Sequence, residues 1–527
     1  MTCANNIKNL QTLLPETQLG EAAAIQVNQI TLDSRNLKTG GLFIAVKGQK
    51  FDGRDFIAKA IELGASAIFV EADKKWVGID WIDQVAIIAV DNLPAELSEI
   101  SGRFFDAPSE QLSLIGVTGT NGKTTVSLLA AQLIALVENS SAAVIGTLGY
   151  GVLNKKLSSP IMQQIQLLTT TGLTTPDAIS LQAILCEMKQ AAVKTVVMEV
   201  SSHSLHQHRV AALQFTTAIF TNLTQDHLDY HGDMQTYGKV KEQLLYFPNL
   251  QTAILNADDP WANSLAEKAP SSVRVVRYSV LSNADIYVSD IQLHATGVTA
   301  ELFSPWGNGT IQSPFMGMFN LSNLLAVIAA VCVQGNKLQD VLAVVSELKA
   351  APGRMQSVVL DSQQDVQVIV DYAHTPDALE TTLKAITQHN QQRIWTIFGC
   401  GGDRDKTKRP LMGRIAETYS DCVFVTNDNP RSEDPASIAA DIVKGMKNPR
   451  ACLTIADRAH AIDMAIQQAR SGDLILIAGK GHENYQIFAQ QTLPFSDEQQ
   501  ARLALQRRFA KQEQNSAQLD KQQGAQS

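Results

Sequence analysis

The run Gly116–Thr125, GVTGTNGKTT, carries the plainest chemistry in the chain. An apolar stretch holding Leu112, Leu114, Ile115 and Val117 feeds a glycine-rich turn that ends Gly-Lys-Thr, the build of a nucleotide-phosphate cradle. Gly119 and Gly122 let the backbone turn its N–H groups toward a polyphosphate, Lys123 brings a cation to the terminal phosphates, and the Thr124 hydroxyl is a ligand for Mg²⁺. The spacing departs from the common GxxxxGK[ST] form, because Val117 stands where the first glycine belongs. A glycine turn with no ligand is the alternative. The order of strand, Gly-Lys-Thr and a following helical stretch, Val126–Leu136, favours the cradle.

Further polar clusters recur where apolar runs end. Thr195–Met198 reads as a strand, and Glu199 just beyond it is placed to share a cation with Thr124, since divalent ions among phosphates take one or two carboxylates. His203, His206 and His208 follow, but their spacing matches neither HExxH nor a zinc finger. After Ala218–Phe220 comes a dense group of Asn222, Asp226, His227, Asp229 and His231, the composition of a metal or phosphate site. Lys241 follows on a helix and, on its residue type alone, reads as a solvated lysine. Later runs end in Asp371, Tyr372 and His374, then in Arg404, then in Asp428, Asn429 and Arg431. Their recurrence in two successive sheets points to a cleft between domains.

Elements able to position these groups are legible as alternating strands and helices. Strands are expected at Leu42–Val46 and Ala67–Val70 with a helix between, in a module ending near residue 108. A second module, to about residue 350, holds strands at Ala143–Ile145, Thr195–Glu199, Thr217–Thr221 and Thr252–Asn256, the pattern of a doubly wound, mostly parallel sheet. A third has strands at Val366–Asp371, Arg393–Phe398, Asp421–Val425 and Leu474–Ala478, and the Gln- and Lys-rich tail from 511 is expected to fray.

Composition limits the alternatives. A chain of 527 residues with 45% apolar and 18% charged side chains fits a globular α/β protein of several domains. It has no apolar run of the roughly 18 residues a spanning helix needs and no secretory leader pattern, so a cytoplasmic location is expected. The net charge of -9 disfavours nonspecific nucleic-acid binding. Six scattered cysteines without a CxxC pair read as buried thiols.

The loop Gly116–Thr124, the run Met198–His203, TNLTQDHLDYHG, the helix start Tyr237–Leu245, PGRM at 352–355, DYAHTPD at 371–377 and GKGHE at 479–483 resemble, in this order, the Mur ligases. The resemblance is to the branch that adds the third residue of the peptidoglycan stem peptide. It implies an N-terminal UDP-binding domain (1–108), a central ATPase domain (109–350), a C-terminal Rossmann-like domain (351–510) and a polar tail (511–527). By resemblance, ATP is held by Gly116, Gly119, Thr120, Asn121, Gly122, Lys123, Thr124, Thr125, Asn320, Asn323, Arg354 and Asp371. Thr124 and Glu199 match ligands of one Mg²⁺ and His227 a ligand of a second, while Lys241 matches a lysine carbamylated to N6-carboxylysine, an anion able to hold that metal. Lys123, His227 and Lys241 would be the catalytic residues. Ser34 matches a uracil contact, and Thr174, Thr175, Ser201, Gln207 and Arg209 match contacts to a UDP-muramoyl dipeptide. Arg404, Asp428, Asn429, Pro430, Arg431, Gly479 and Glu483 match contacts to meso-diaminopimelate, DNPR being the diaminopimelate form of that run.

The implied reaction is ATP-dependent amide formation through an acyl phosphate, by a monomer acting on small molecules. The segment Leu153–Thr171 is longer than the family's usual pattern, leaving its conformation open. Folylpolyglutamate synthase shares the loop and the modified lysine but lacks the DNPR run and the N-terminal domain. A P-loop motor or an ATP-gated binding protein would account for the loop alone.

Overall fold

The computed structural model describes residues 6–48, 51–157, 159–294, 297–360, 364–389 and 392–524. The chain divides into two compact units, residues 1–287, 304–307 and 325–344 in one, and 288–303, 308–324 and 345–527 in the other.

The first unit carries two larger sheets beside a small antiparallel pair, Lys8–Asn9 with Gln26–Val27. In the N-terminal one, Ile30–Thr31, Leu42–Ala45, Ala67–Glu71 and Val85–Val90 run parallel, and Ile79–Ile82 closes the edge antiparallel. Two expected strands are there. The strand Val85–Val90 and the helix Leu93–Phe104 add elements beyond the two expected strands and the helix between them.

In the central sheet, seven of the ten strands lie in the order Gly149–Asn154, Ser141–Gly146, Thr195–Glu199, Ser113–Thr118, Phe215–Phe220, Thr252–Asn256, Arg274–Ser279. All pair in parallel except the first. The inner strands, from Ser141–Gly146 to Thr252–Asn256 in that order, are almost wholly buried, as a parallel sheet covered on both faces requires, and read as largely apolar runs. Ser113–Thr118 lies between Thr195–Glu199 and Phe215–Phe220, so the chain leaves it for one side and later returns to the other. That reversal is a topological switch point, where strand ends open a crevice for ligands. The phosphate loop, Glu199 and the Thr221–His227 segment all emerge there. Segment 153–171 forms the end of a strand, a short helix Ile161–Gln166 and an antiparallel bridge between Tyr150 and Thr169, with the Gln164 amide bonded to Asn154 N and O and to Ser159 O.

The second unit is built on Gln367–Asp371, Leu474–Ala478, Ile394–Phe398, Cys422–Val425 and Cys452–Thr454, parallel and in that order, with Gln356–Ser357 antiparallel at the edge. Alternate residues feed two cores: Leu474, Leu476 and Ala478 enter one with Phe398 and Val425, while Ile475 and Ile477 enter another with Trp395 and Phe424. Arg458 and Asp497, both fully buried, pair at 2.7 Å beneath this sheet.

Two expectations fail here. The tail does not begin to fray at 511, because the helix Asp497–Gly524 continues through it; Gln, Lys and Ala lose little rotamer freedom in a helix. Nor are all six cysteines thiols, since Cys186 is in a disulfide, whereas Cys332, Cys400, Cys422 and Cys452 are free. No helix among the described residues is long and apolar enough to cross a membrane.

Candidate active site

Gly119 takes φ +146°, and a Cβ there would meet Thr221 Oγ1 at 1.9 Å, so only glycine allows the loop to lie on the neighbouring strand end. The loop is pinned there. Thr120 N donates to Asn222 O at 2.9 Å, Asn121 N to Asn222 Oδ1 at 2.9 Å, and Thr221 Oγ1 to Asn121 O at 2.6 Å. These bonds use two of the N–H groups expected to face phosphate. The first turn of the helix Lys123–Val137 is the part left suited to an anion, since its N–H groups have no intrahelical acceptors and sit at the positive end of its dipole.

Lys123 Nζ donates to the carbonyls of Gly119 and Thr120, each at 2.9 Å. Lys241 Nζ donates to the same Gly119 carbonyl at 2.8 Å and lies 4.6 Å from the Tyr237 ring centroid. The solvated reading of Lys241 is thus overturned: the residue is 1% exposed, on the inner face of the helix Met234–Glu242. Burial drives its pKa well down, and the nearby Lys123 ammonium pushes the same way, with Asp226 opposing. The surroundings thus favour the uncharged amine over the ammonium at the phosphate loop.

Glu199 sits buried beside it. Its carboxylate accepts from Thr124 Oγ1 at 3.0 Å, from Thr147 N at 2.8 Å and from Thr147 Oγ1 at 3.1 Å. A Cβ on Gly146 would meet Glu199 Oε1 at 2.2 Å, so the carboxylate fills a cradle that glycine leaves open. Hydroxyl and carboxylate oxygens converging at a polyphosphate loop suit Mg²⁺, a hard cation. His227 has φ +53° and Nε2 3.5 Å from Asp226 Oδ2; burial lowers its pKa against the pull of Asp226, which keeps a ring nitrogen unprotonated and able to ligate. His203, 5.0 Å away between ring centroids, is held at about 4 by burial and by His227, His231 and Arg209. The histidines 203, 206 and 208 do not assemble a metal site of their own, and no such group of three ligands occurs among the described residues.

The residues expected to hold a UDP-muramoyl dipeptide form one chain of contacts. Thr147 Oγ1 lies 3.2 Å from Thr174 Oγ1, Thr175 Oγ1 donates to Glu199 O at 2.9 Å and lies 3.2 Å from Ser201 Oγ, and Arg209 Nη1 donates to Thr175 O at 2.8 Å. Gln207 accepts from Arg209 Nε at 2.9 Å and donates to Tyr230 Oη at 3.0 Å. Thr147 and Tyr230 escaped the sequence reading; Thr147 follows a strand and glycine much as Glu199 and Asn222 follow theirs, a signal that was available. Ser34 lies elsewhere, buried in the turn Ser34–Asn36 beside the N-terminal sheet.

In the second unit, Asn320 and Asn323 are buried on the helix Met318–Val333, with Asn320 Nδ2 donating to Met316 O at 2.9 Å. The Arg354 guanidinium stacks 4.4 Å from the Tyr372 ring centroid. Asp371 accepts from Met355 N at 2.7 Å, Ala373 N at 2.9 Å and Thr382 Oγ1 at 3.2 Å, and burial nevertheless raises its pKa. Its carboxylate braces the loop bearing Arg354. Glu483 Oε2 accepts from Asn429 Nδ2 at 2.9 Å. Arg431 Nη1 donates to Gly402 O at 2.8 Å, and a Cβ on Gly401 would meet that Nη1 at 2.8 Å and Arg404 Cγ at 3.8 Å. Both arginines therefore flank one glycine turn, Arg404 the more exposed. Gly479 follows directly on the strand Leu474–Ala478, its N–H donating to Asp371 O at 3.1 Å.

Three family models match: the Mur ligase family catalytic domain over residues 26–104, the Mur ligase middle domain over 117–331, and the Mur ligase glutamate ligase domain over 353–481. The chain is 43% identical over 505 residues to UDP-N-acetylmuramoyl-L-alanyl-D-glutamate--2,6-diaminopimelate ligase of Coxiella burnetii, covering 95% of this chain and 100% of that one. A solved structure of an enzyme so named shares 34% identity at a TM-score of 0.68, covering 97% of this chain and 100% of that one. The fold is also that of MurF ligase from Thermotoga maritima in complex with ADP, 18% identical at a TM-score of 0.60, over 92% of this chain and 98% of that one. Matched along nearly its whole length, the chain belongs to the Mur ligase family.

Proposed function

We propose that this chain is the ATP-dependent ligase that joins meso-2,6-diaminopimelate to UDP-N-acetylmuramoyl-L-alanyl-D-glutamate, in cytoplasmic synthesis of the peptidoglycan precursor. The observation that carries it is the switch-point cluster, in which Lys123 and Lys241 share the Gly119 carbonyl and Glu199 receives the Thr124 hydroxyl. Relatives with the same printed activity at 43% identity support the substrate assignment.

A carboxylate does not condense with an amine at neutral pH, because its carbonyl is a poor electrophile. The glutamate γ-carboxylate attacks the γ-phosphorus of ATP, breaking the bond to ADP and forming an acyl phosphate. The amine of diaminopimelate then attacks the acyl carbon; phosphate leaves with the C–O electrons, and the amine sheds a proton. Lys123 and the N-terminal turn of its helix offset charge on the transferring group. Two Mg²⁺ ions would neutralise the polyphosphate, one held by Thr124 and Glu199, the other by His227 and Lys241 as its carbamate. Thr174, Thr175, Ser201, Gln207 and Arg209 would orient the muramoyl dipeptide and Ser34 its uracil. Asn320, Asn323, Arg354 and Asp371 would hold the nucleotide, and Arg404, Asp428 to Arg431, Gly479 and Glu483 the amino acid.

Phosphate release should require ATP, the UDP-muramoyl dipeptide and diaminopimelate together. Steady turnover with ATP alone would favour a P-loop motor and end this reading. Lys123→Ala should lower turnover by ~10²-fold or more while leaving thermal unfolding near wild type, since the ammonium acts on transition-state charge and not on packing. Near-normal turnover in the variant would remove the loop from the reacting phosphates.

A further inference from the structure

Lys480 lies inside GKGHE but belongs to none of the roles above. It is completely buried, and its ammonium donates to Glu483 Oε2 at 2.8 Å, to Asn429 Oδ1 at 3.1 Å and toward Asp428 Oδ1 at 3.5 Å, with the Tyr485 ring centroid 5.5 Å away. The backbone forces this inward course. Gly481 has φ +53° and packs so closely that a Cβ would meet Gly353 O and Tyr372 Cβ at 2.7 Å, while Glu483 N closes a turn on Lys480 O at 2.9 Å.

The contacts leave Asn429 and Glu483 little freedom. Asn429 Oδ1 accepts from Lys480 and also from Ile487 N at 3.0 Å, which fixes the amide so that its Nδ2 reaches Glu483 Oε2 at 2.9 Å. Glu483 thus takes both the Lys480 and the Asn429 bonds on one oxygen, Oε2, and neither bond occupies Oε1. A buried ammonium among Asp428 and Glu483 also offsets two like charges that would otherwise repel across the site.

We propose that Lys480 is a positioning residue for amino-acid selection: by holding Glu483 Oε2, it aims Oε1 at the ammonium on the far carbon of diaminopimelate. This rests on the proposed function, in which Glu483 meets that group. A purely structural cation would stabilise the sheet end without distinguishing ligands.

The test uses the full-length enzyme and two variants, Lys480→Met and Lys480→Gln, against diaminopimelate and against 2-aminopimelate, which keeps both carboxylates and one amine but lacks the distal amine. In the variants KM for diaminopimelate should rise by on the order of tenfold or more, the scale of a charged hydrogen bond lost from a buried partner. KM for ATP and for the muramoyl dipeptide, and the inhibition constant of 2-aminopimelate, should stay at wild-type values. Equal weakening of both amino acids, or no change in either, overturns the proposal. So does loss of the folded state in both variants, which would make Lys480 a structural cation. Failure of the functional reading looks different: the wild-type enzyme itself would not turn over diaminopimelate.

Discussion

Lys241→Ala should be nearly inactive, and added short carboxylates such as acetate or formate should restore part of the activity. An ammonium at this position would repel both Lys123 and any cation at Glu199 and His227. Burial and Lys123 together weaken the hold on that proton, favouring a free lone pair on a nitrogen that burial shields from competing solvent. Such an amine attacks the carbon of CO₂: the N–C bond forms, a C=O pair moves to oxygen, and the ammonium-like nitrogen gives up one proton. The product is an anion beside the Gly119 carbonyl and the Tyr237 ring. Alanine deletes the anion but leaves a hollow lined by Gly119 O and Tyr237, which a small carboxylate can enter. Loss should exceed ~10²-fold, since charge at the transferring phosphoryl group is at stake. Mass measurement under ample bicarbonate should find the added carboxyl on Lys241, and an active enzyme with an unmodified lysine would sink the idea.

The second large effect is discrimination between diaminopimelate and L-lysine, which differ by one carboxylate on the far carbon. Arg431 is the group suited to grip that carboxylate in two parallel bonds. Its backbone is held in the left-handed region, φ +52°, by Arg431 N donating to Ile487 O at 3.0 Å and Ala489 N donating to Arg431 O at 2.6 Å. A side chain kept at such a strained position is directed by the framework. L-Lysine would leave the guanidinium desolvated and unmatched, and rejection of an analogue lacking an expected polar group reaches about 10⁴-fold. kcat/KM for L-lysine should therefore fall short by roughly that factor, and Arg431→Ala should lose most activity toward diaminopimelate. Efficient incorporation of L-lysine by the unaltered enzyme would overturn the assignment.

Strand positions were legible because buried parallel strands are apolar throughout: Thr195–Glu199, Thr252–Asn256 and Leu474–Ala478 fall on the residues expected. Glu199 and His227 were legible for a related reason, as polar residues terminating such runs. Lys241 was misread from residue type because helical periodicity does not reveal which helix face meets a loop arriving from residue 119, over a hundred positions away. Thr147, at a strand end, and Lys480, inside the GKGHE run, were passed over although their positions were visible, because only the tertiary contacts of Glu199 and Glu483 give them meaning.

Glu199 has two audiences. On one side it receives the Thr124 hydroxyl of the nucleotide loop; on the other, through Thr147 and its own carbonyl, it is tied to Thr174 and Thr175. Under the proposed function, magnesium at Glu199 and the muramoyl dipeptide at Thr174 and Thr175 would share this carboxylate, so the two equilibria would be linked, and by thermodynamic reciprocity the factor by which magnesium tightened the dipeptide would be the factor by which the dipeptide tightened magnesium.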